Sequence, residues 1–285
     1  MDEVLGKDGS WTFDLETLRI TPSHSRGVHK LRQAIGELSI PLEAINSVVY
    51  EPGRKGGKLR LRLRDGADPL HQVTAGRLSD NADPYQLAVD ANQVGTSQYF
   101  AEAVRTALMV HQVPSTPVTS YLLPPQGVPI TATAGDGTAT FDGEKIRLDW
   151  SWMAEDSKSA PGPVQLALSD VTGVEWQPQK GVSYGFLRFR TKTDTAAVAP
   201  EHDRHCLSWG IQREGGTTVL VAAAVLSRLP HPSAARELPE AAERAKADDD
   251  PDAMLRRLRE LGELHKSGIL TDEEFAAAKR KFLGL

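Results

Sequence analysis

A seven-residue stretch near the start of the chain returns half-way along it. Asp8-Gly9-Ser10-Trp11-Thr12-Phe13-Asp14 recurs 128 residues on as Asp136-Gly137-Thr138-Ala139-Thr140-Phe141-Asp142, and Leu18-Arg19-Ile20 recurs in the same register as Ile146-Arg147-Leu148. Further blocks follow in conserved order. Leu42, Ile45, Val48, Tyr50 and Pro52 match Leu168, Val171, Val174, Trp176 and Pro178, and Leu59 to Arg62 match Leu187 to Arg190. Asp83 and Leu87 match Asp203 and Leu207, and Ala103, Val104 and Leu108 match Ala224, Val225 and Leu229. The spacing drifts only across polar stretches, as loop insertions do. A fixed-period duplication constrains the fold more than any single element, because whatever one copy forms the other must form too.

Each copy opens on a hairpin. Trp11 to Asp14 and Leu18 to Ile20 flank a short polar turn, and in the second copy Asp142-Gly143 stands in that turn. Glycine there reaches positive φ without steric cost. Ser39 to Leu42 and Ile45 to Tyr50 read as the next strands. Lys58-Leu59-Arg60-Leu61-Arg62-Leu63-Arg64 alternates without a break, so one face is leucine and the other basic, the pattern of a half-buried strand. His71 to Ala75 and Tyr85 to Val89 read as two more strands around a polar turn. From Ser97 to Val110 the apolar residues fall at helical spacing, with Ser97 as N-cap, and Thr217 to Leu229 repeats this in the second copy. Six or seven short strands and one closing helix per copy predict an α+β chain. The order is similar to the pleckstrin-homology (PH) superfold, which implies two tandem PH-like small β-barrels, each capped by its C-terminal helix. Fold alone fixes no function.

Two segments connect and extend the copies. Pro114, Pro117, Pro124, Pro125 and Pro129 make the first connection extended and stiff. A second, rich in Ala, Glu and Asp, leads to a C-terminal pair of helices. Met254, Leu255, Leu258, Leu261 and Leu264 form one apolar stripe, Ser267-Gly268 ends it, and Thr271 with Glu274 forms a capping box for the next. Packed as an antiparallel hairpin, the two would bury Leu258, Leu261, Ile269, Leu270, Phe275 and Phe282 together. Leu258, Leu261, the Gly268-Ile269-Leu270-Thr271 turn, Glu274-Phe275 and Lys279-Lys281-Leu283 resemble the bacterial short C-terminal domain, SHOCT. The two copies are similar to an uncharacterised bacterial family found as tandem copies ahead of SHOCT. The resembling segments are Trp11 to Asp14, Ile40-Pro41-Leu42, Leu59 to Arg64 and Asp83-Pro84-Tyr85. The second copy lacks the Ile-Pro pair and the Pro after its Asp203. The resemblance implies no established activity, and for SHOCT it implies a role in assembly or docking. The expected organisation is PH-like repeat 1 over 1–112, a Pro-rich linker over 113–130, PH-like repeat 2 over 131–230, an acidic linker over 231–250 and the hairpin over 251–285.

Composition narrows the partners. The formal net charge is −5, so the chain as a whole has no pull toward nucleic acid or an anionic membrane, and any such binding needs a local basic patch. That patch is Arg54, Lys55, Lys58, Arg60, Arg62 and Arg64, with Arg60, Arg62 and Arg64 on one strand face, a set suited to phosphate or carboxylate groups. A solvated outer face balanced by neighbouring carboxylates is the plainer reading. No aromatics interleave with these arginines, which argues against single-stranded nucleic acid. Most of the aromatic residues read as core; Trp150-Ser151-Trp152 opens a long loop and is the one candidate aromatic contact.

The chemistry of sites is sparse. His202-Asp203-Arg204-His205-Cys206 carries zinc-ligand types but has no second cluster to complete four ligands, so an ordinary hairpin is favoured and no metal is expected. Gly215-Gly216-Thr217 could hold an anion at a helix start, though a turn and N-cap is the simpler use. No phosphate-binding loop, nucleophile elbow or carboxylate pair appears, so no catalytic residue and no cofactor is assigned. The single Cys206 fits a reducing compartment, and no stretch of about 18 apolar residues occurs. With no basic-then-apolar leader at Met1, a cytoplasmic protein is expected, with the inner membrane face as a peripheral alternative. The function expected is non-enzymatic binding and assembly: tandem domains recognise a protein partner, and the hairpin oligomerises or docks. Binding of an anionic membrane or phospho-ligand through the basic strand, and an unrecognised enzyme, stand as alternatives in that order.

Overall fold

The computed structural model describes residues 2–193, 198–210 and 215–233. Within it the duplication is visible strand for strand. The first half begins with β1 (Asp2–Leu5), β2 (Gly9–Phe13), β3 (Thr17–Pro22) and β4 (Leu38–Pro41), an antiparallel sheet in that order, with the short helix α1 (Lys30–Ile35) between β3 and β4. A 3-10 turn at Leu42–Ala44 leads into the second sheet, β5 (Ile45–Gly53), β6 (Gly56–Leu63) and β7 (Gln86–Asp90). Helix α2 (Pro69–Thr74) interrupts the path from β6 to β7, and α3 (Val94–Val110) closes the half. The second half repeats this with β8 (Ile130–Ala134), β9 (Gly137–Phe141), β10 (Lys145–Trp150) and β11 (Val164–Ala167) in one sheet. Its second sheet is β12 (Val171–Gln177), β13 (Gly185–Thr191) and β14 (Cys206–Trp209). Helix α4 (Asp156–Ser159) stands where α1 does, and α5 (Thr218–Leu226) where α3 does. Even the irregularities are copied: β5 has a register shift between Ile45 and Ser47, and β12 has one between Val171 and Gly173.

The chain is thus α+β, with antiparallel sheets and few helices in two repeating halves. The expected closed barrel is corrected: among the described residues, the two sheets of each half are not hydrogen-bonded round into one. The reason is visible at the seam. The first sheet meets β7 through the β1–β2 turn, where Lys7 N–H donates to Ala88 O at 3.0 Å and the Asp8 carboxylate accepts from Ala88 N–H at 2.9 Å. A side chain therefore takes the place of a continued backbone ladder.

Asp8 is also the centre of a duplicated buried clamp. It pairs with Arg32, whose guanidinium donates to Gln86 O at 3.0 Å. In the second half Asp136 accepts from Ser208 N–H at 2.8 Å and pairs with the Lys158 ammonium at 2.5 Å, which in turn donates to Cys206 O at 2.8 Å. In each half the basic residue lies on or within the helix that precedes the fourth strand of the first sheet. The clamp fastens that helix and the first turn to the last strand of the second sheet. A buried charged pair needs further hydrogen bonds to offset its desolvation, and the backbone groups of β7 and β14 supply some of them here, while Arg32 Nε is buried without a partner.

The stretch from His71 to Ala75 is not a strand but α2. Asp68 caps it, accepting from Leu70 N–H at 3.1 Å and His71 N–H at 2.7 Å; Pro69 sits in the first turn, and Ala75 ends it in the left-handed region. Leu70 and Val73, three apart, are its buried stripe. Ser97 is likewise not an N-cap: α3 starts three residues earlier, directly from a 3-10 turn at Ala91–Gln93, and Ser97 is buried inside it. β1 and β8 add a strand ahead of each expected start, the latter beginning at the last residue assigned to the linker. The rest of that linker is a strap on the first half: Val118 N–H donates to Asp65 O, Leu122 and Leu123 N–H donate to Ala67 O, and Val118 and Leu123 are buried.

Helix α2 decides how the halves meet. The first copy is longer than the second between β6 and β7, and that extra length carries α2; among the described residues the second half has no counterpart. Leu70 and Val73 of α2, with Leu31 and Ala82, belong to the core of the second half, not the first. They pack on α5, which is buried from Thr218 to Val225 because its own sheets cover one side and α2 the other. The first half thus keeps a core of its own and lends these residues to the core of the second. Among the described residues no helix is long and apolar enough to cross a membrane.

Candidate functional site

The docking of α2 on α5 leaves a cleft of about 790 Å3 beside it, open to solvent and lined from both halves. The first half contributes His29 and Leu31 at the start of α1, and Gly76 to Ser79 with Ala82 after α2. The second contributes Trp176 to Lys180 at the end of β12 and its turn, Trp209 of β14, and Gly215-Gly216 ahead of α5. Trp176 and Trp209 are buried floor, and Leu31, Leu78, Ala82 and Pro178 add apolar surface. The indole N–H of Trp176 donates to Thr218 Oγ1 at 3.2 Å, and that hydroxyl donates to Gly215 O at 2.6 Å, which fixes the glycine loop against the floor. Gly215 has to be glycine, since a Cβ there would meet the Trp209 ring at 2.4 Å. Arg77 is held by its own helix end, with Nε donating to Thr74 O at 3.0 Å and Nη2 to Val73 O at 3.3 Å. Lys180 stands exposed on the β12–β13 turn. Among the described residues no aspartate or glutamate lines the cleft.

The residues expected as a basic patch have separate fates. Lys58 is paired with Asp80, whose carboxyl this bond holds below its ordinary range. Arg60 Nε reaches Glu51 at 3.1 Å, and its Nη2 lies 3.8 Å from Asp80. Arg64 does not share an open face with Arg60 and Arg62: it is buried, donating to Thr116 O and Glu43 O, each at 2.9 Å, and so ties the strap to the 3-10 turn. Arg54 and Lys55 on the β5–β6 turn and Arg62 on β6 are exposed.

The His202 to Cys206 segment is also knitted into the fold. His202 Nδ1 lies 3.3 Å from Ser157 Oγ, Asp203 accepts from His205 N–H at 2.9 Å and pairs with Arg188 at 2.7 Å, and Arg204 donates to Gly162 O. Cys206 is buried, which pushes its thiol up to about 12. Among the described residues no three His, Cys, Asp or Glu gather as metal ligands. At Gly215 to Thr217, it is the Thr218 hydroxyl, not that of Thr217, that bonds back to the loop. Trp152 is exposed at 89 %, whereas Trp150 is half-buried, donates to Gly162 O and lies under the Lys158 ammonium. The hairpin residues Leu258, Leu261, Ile269, Leu270, Phe275 and Phe282 lie outside the described residues.

Sequence reasoning missed the cleft. Arg77 and Lys180 are turn residues beside glycines, about a hundred positions apart, and no periodicity links them; only the docking of α2 brings their segments together. The one available signal was α5 itself, whose Thr-Val-Leu-Val-Ala-Ala-Ala-Val-Leu is apolar on every side and so calls for a cover beyond its own half.

Comparison with known families agrees with the duplication. A model described as a domain of unknown function, DUF4429, matches residues 11–105 and again 139–226, and the short C-terminal domain model, SHOCT, matches residues 256–283. No curated protein matches the chain. Both DUF4429 segments fall on the strand-and-helix halves described above and together span more than half of the sequence. The chain belongs to the DUF4429 family, carrying the domain twice in tandem ahead of a SHOCT domain.

Proposed function

We propose that this is a non-enzymatic binding and assembly protein, in which the two halves act as one recognition block for a protein partner and the SHOCT region oligomerises or docks it. The observation that carries the reading is the packing of Leu31, Leu70, Val73 and Ala82 of the first half into the core of the second. Two copies strung on a flexible linker would recognise independently, whereas copies fused through α2 and α5 present their surfaces at a fixed spacing, which lowers the ordering cost of binding. Each half, with four strands, then three, then one helix, follows the order of the PH superfold, so we read both halves as PH-like; that analogy bears on fold alone. Asp203 and Arg204, which belong to the metal-like cluster weighed in the sequence, are engaged in holding loops. The alternative, an anionic surface bound along β6, is weakened by Lys58 and Arg60 being paired and Arg64 buried.

The test uses the full chain. Light scattering is measured on it and on Leu258→Asp/Leu261→Asp, which places charge in the predicted apolar seam. An oligomer that falls to monomer in the variant supports assembly through the hairpin, and the recognition block then gains avidity from it. A monomer in both, or an unchanged oligomer, removes that role.

A further inference from the structure

We propose that the cleft between the halves binds an amphipathic anion, its carboxylate or phosphate head meeting Arg77 and Lys180 and its apolar body lying on Leu31, Leu78 and Pro178. Three observations converge. The volume of about 790 Å3 lies within the roughly 300–1,000 Å3 of small-molecule pockets, and the position, at a junction between packed units, is where such pockets concentrate. The described lining is one-signed: the chain has 38 acidic residues against 33 Lys and Arg, yet among the described residues the cleft draws Arg77 and Lys180 and no carboxylate. Lastly, these two cations contrast with Lys58, Arg60, Arg188 and Arg190, all of which face an acidic partner; among the described residues neither Arg77 nor Lys180 has an ion pair. Arg77 is held at the end of α2 through Nε and Nη2, so its Nη1 is left to donate to a ligand. A guanidinium fixed at its base loses little freedom on meeting an anion.

The probe is 8-anilinonaphthalene-1-sulfonate, an anion with an aromatic body, titrated into the folded full chain and followed by fluorescence. Saturable binding is expected, with displacement by decanoate but not by the uncharged decanol. Lys180→Glu, on an exposed turn, and Arg77→Gln, which keeps a donor for the helix end, should each weaken binding about tenfold, while Arg62→Glu, an exposed cation outside the cleft, leaves it unchanged. Thermal melts confirm that each variant is folded. A vesicle arm separates the source of the anion. Sedimentation with phosphatidylglycerol vesicles that is lost in Lys180→Glu identifies a bilayer lipid headgroup; displacement by decanoate without sedimentation identifies a free amphiphile. The proposal is overturned if the dye does not saturate, if decanol competes as well as decanoate, if both cleft variants bind as wild type does, or if Arg62→Glu weakens binding as much as they do. None of these outcomes depends on the oligomeric state, so they are independent of the assembly reading.

Discussion

Replacing Lys158 by methionine keeps the stem and removes the ammonium, so it isolates the buried clamp of the second half. Lys158 is fully buried and its side chain is enclosed with Asp136, which is 8 % exposed. Two hydrogen bonds vanish, to Asp136 at 2.5 Å and to Cys206 O at 2.8 Å, together with the ammonium's contact with the Trp150 ring, and the carboxylate stays behind. Removing one partner of a buried pair costs about 3–5 kcal/mol. The lower end applies, about 3 kcal/mol, because Ser208 still donates to Asp136 through its N–H at 2.8 Å and its hydroxyl at 2.7 Å. Methionine fills nearly the same volume, so the cavity contribution is small. The matching change in the first half, Arg32→Met, leaves Asp8, which is 23 % exposed and open to water, so its cost is smaller, about 2 kcal/mol. Adding Asp136→Asn to Lys158→Met removes the stranded charge and should recover about 1 kcal/mol of the loss. Urea unfolding of the full chain, followed by far-UV circular dichroism, measures each shift in midpoint. A loss below about 0.5 kcal/mol for Lys158→Met, or a larger loss for Arg32→Met than for Lys158→Met, would refute the reasoning, because it would mean that burial does not set the cost.

Three further outcomes are expected. Arg64→Ala strands two backbone carbonyls and should cost about 2 kcal/mol, while Arg62→Ala on the exposed side of β6 stays within about 0.5 kcal/mol; chemical denaturation of both variants tests whether the basic run is divided as described. Leu15 adopts φ 80° in the turn where the second copy has Gly143 at φ 111°, so Leu15→Gly should leave stability unchanged or raise it by up to about 1 kcal/mol, and Gly143→Leu should lower it, as read by thermal melting. Cys206, buried and with its thiol raised to about 12, should resist alkylation by iodoacetamide at about pH 8 in the folded protein and react once urea unfolds it; rapid native labelling would contradict the burial.

What the sequence determined by itself was local and periodic. The duplication, the β2–β3 and β9–β10 hairpins, the unbroken alternation of β6 and the helical spacing of α3 and α5 could all be read, because each is a pattern of neighbours along the chain: turn chemistry at Asp142-Gly143, period two at Leu59, Leu61 and Leu63, period near four at Phe100 and Val104. Where two local signals competed, the reading failed. His-Gln-Val-Thr-Ala is short enough to pass for a strand, and only the Asp68 cap and the seat of Leu70 and Val73 on α5 make it a helix. The tertiary structure alone decided the rest. Alternation puts Arg60, Arg62 and Arg64 in one class, but exposure depends on what lies opposite, and the strap at Thr116 covers the last of them. No local pattern marks Lys158 for burial, which comes from Asp136 and Cys206 closing on it. The cleft exists because an insertion in one copy docks on a helix of the other, an event between residues that share no local pattern, so no window of sequence contains it.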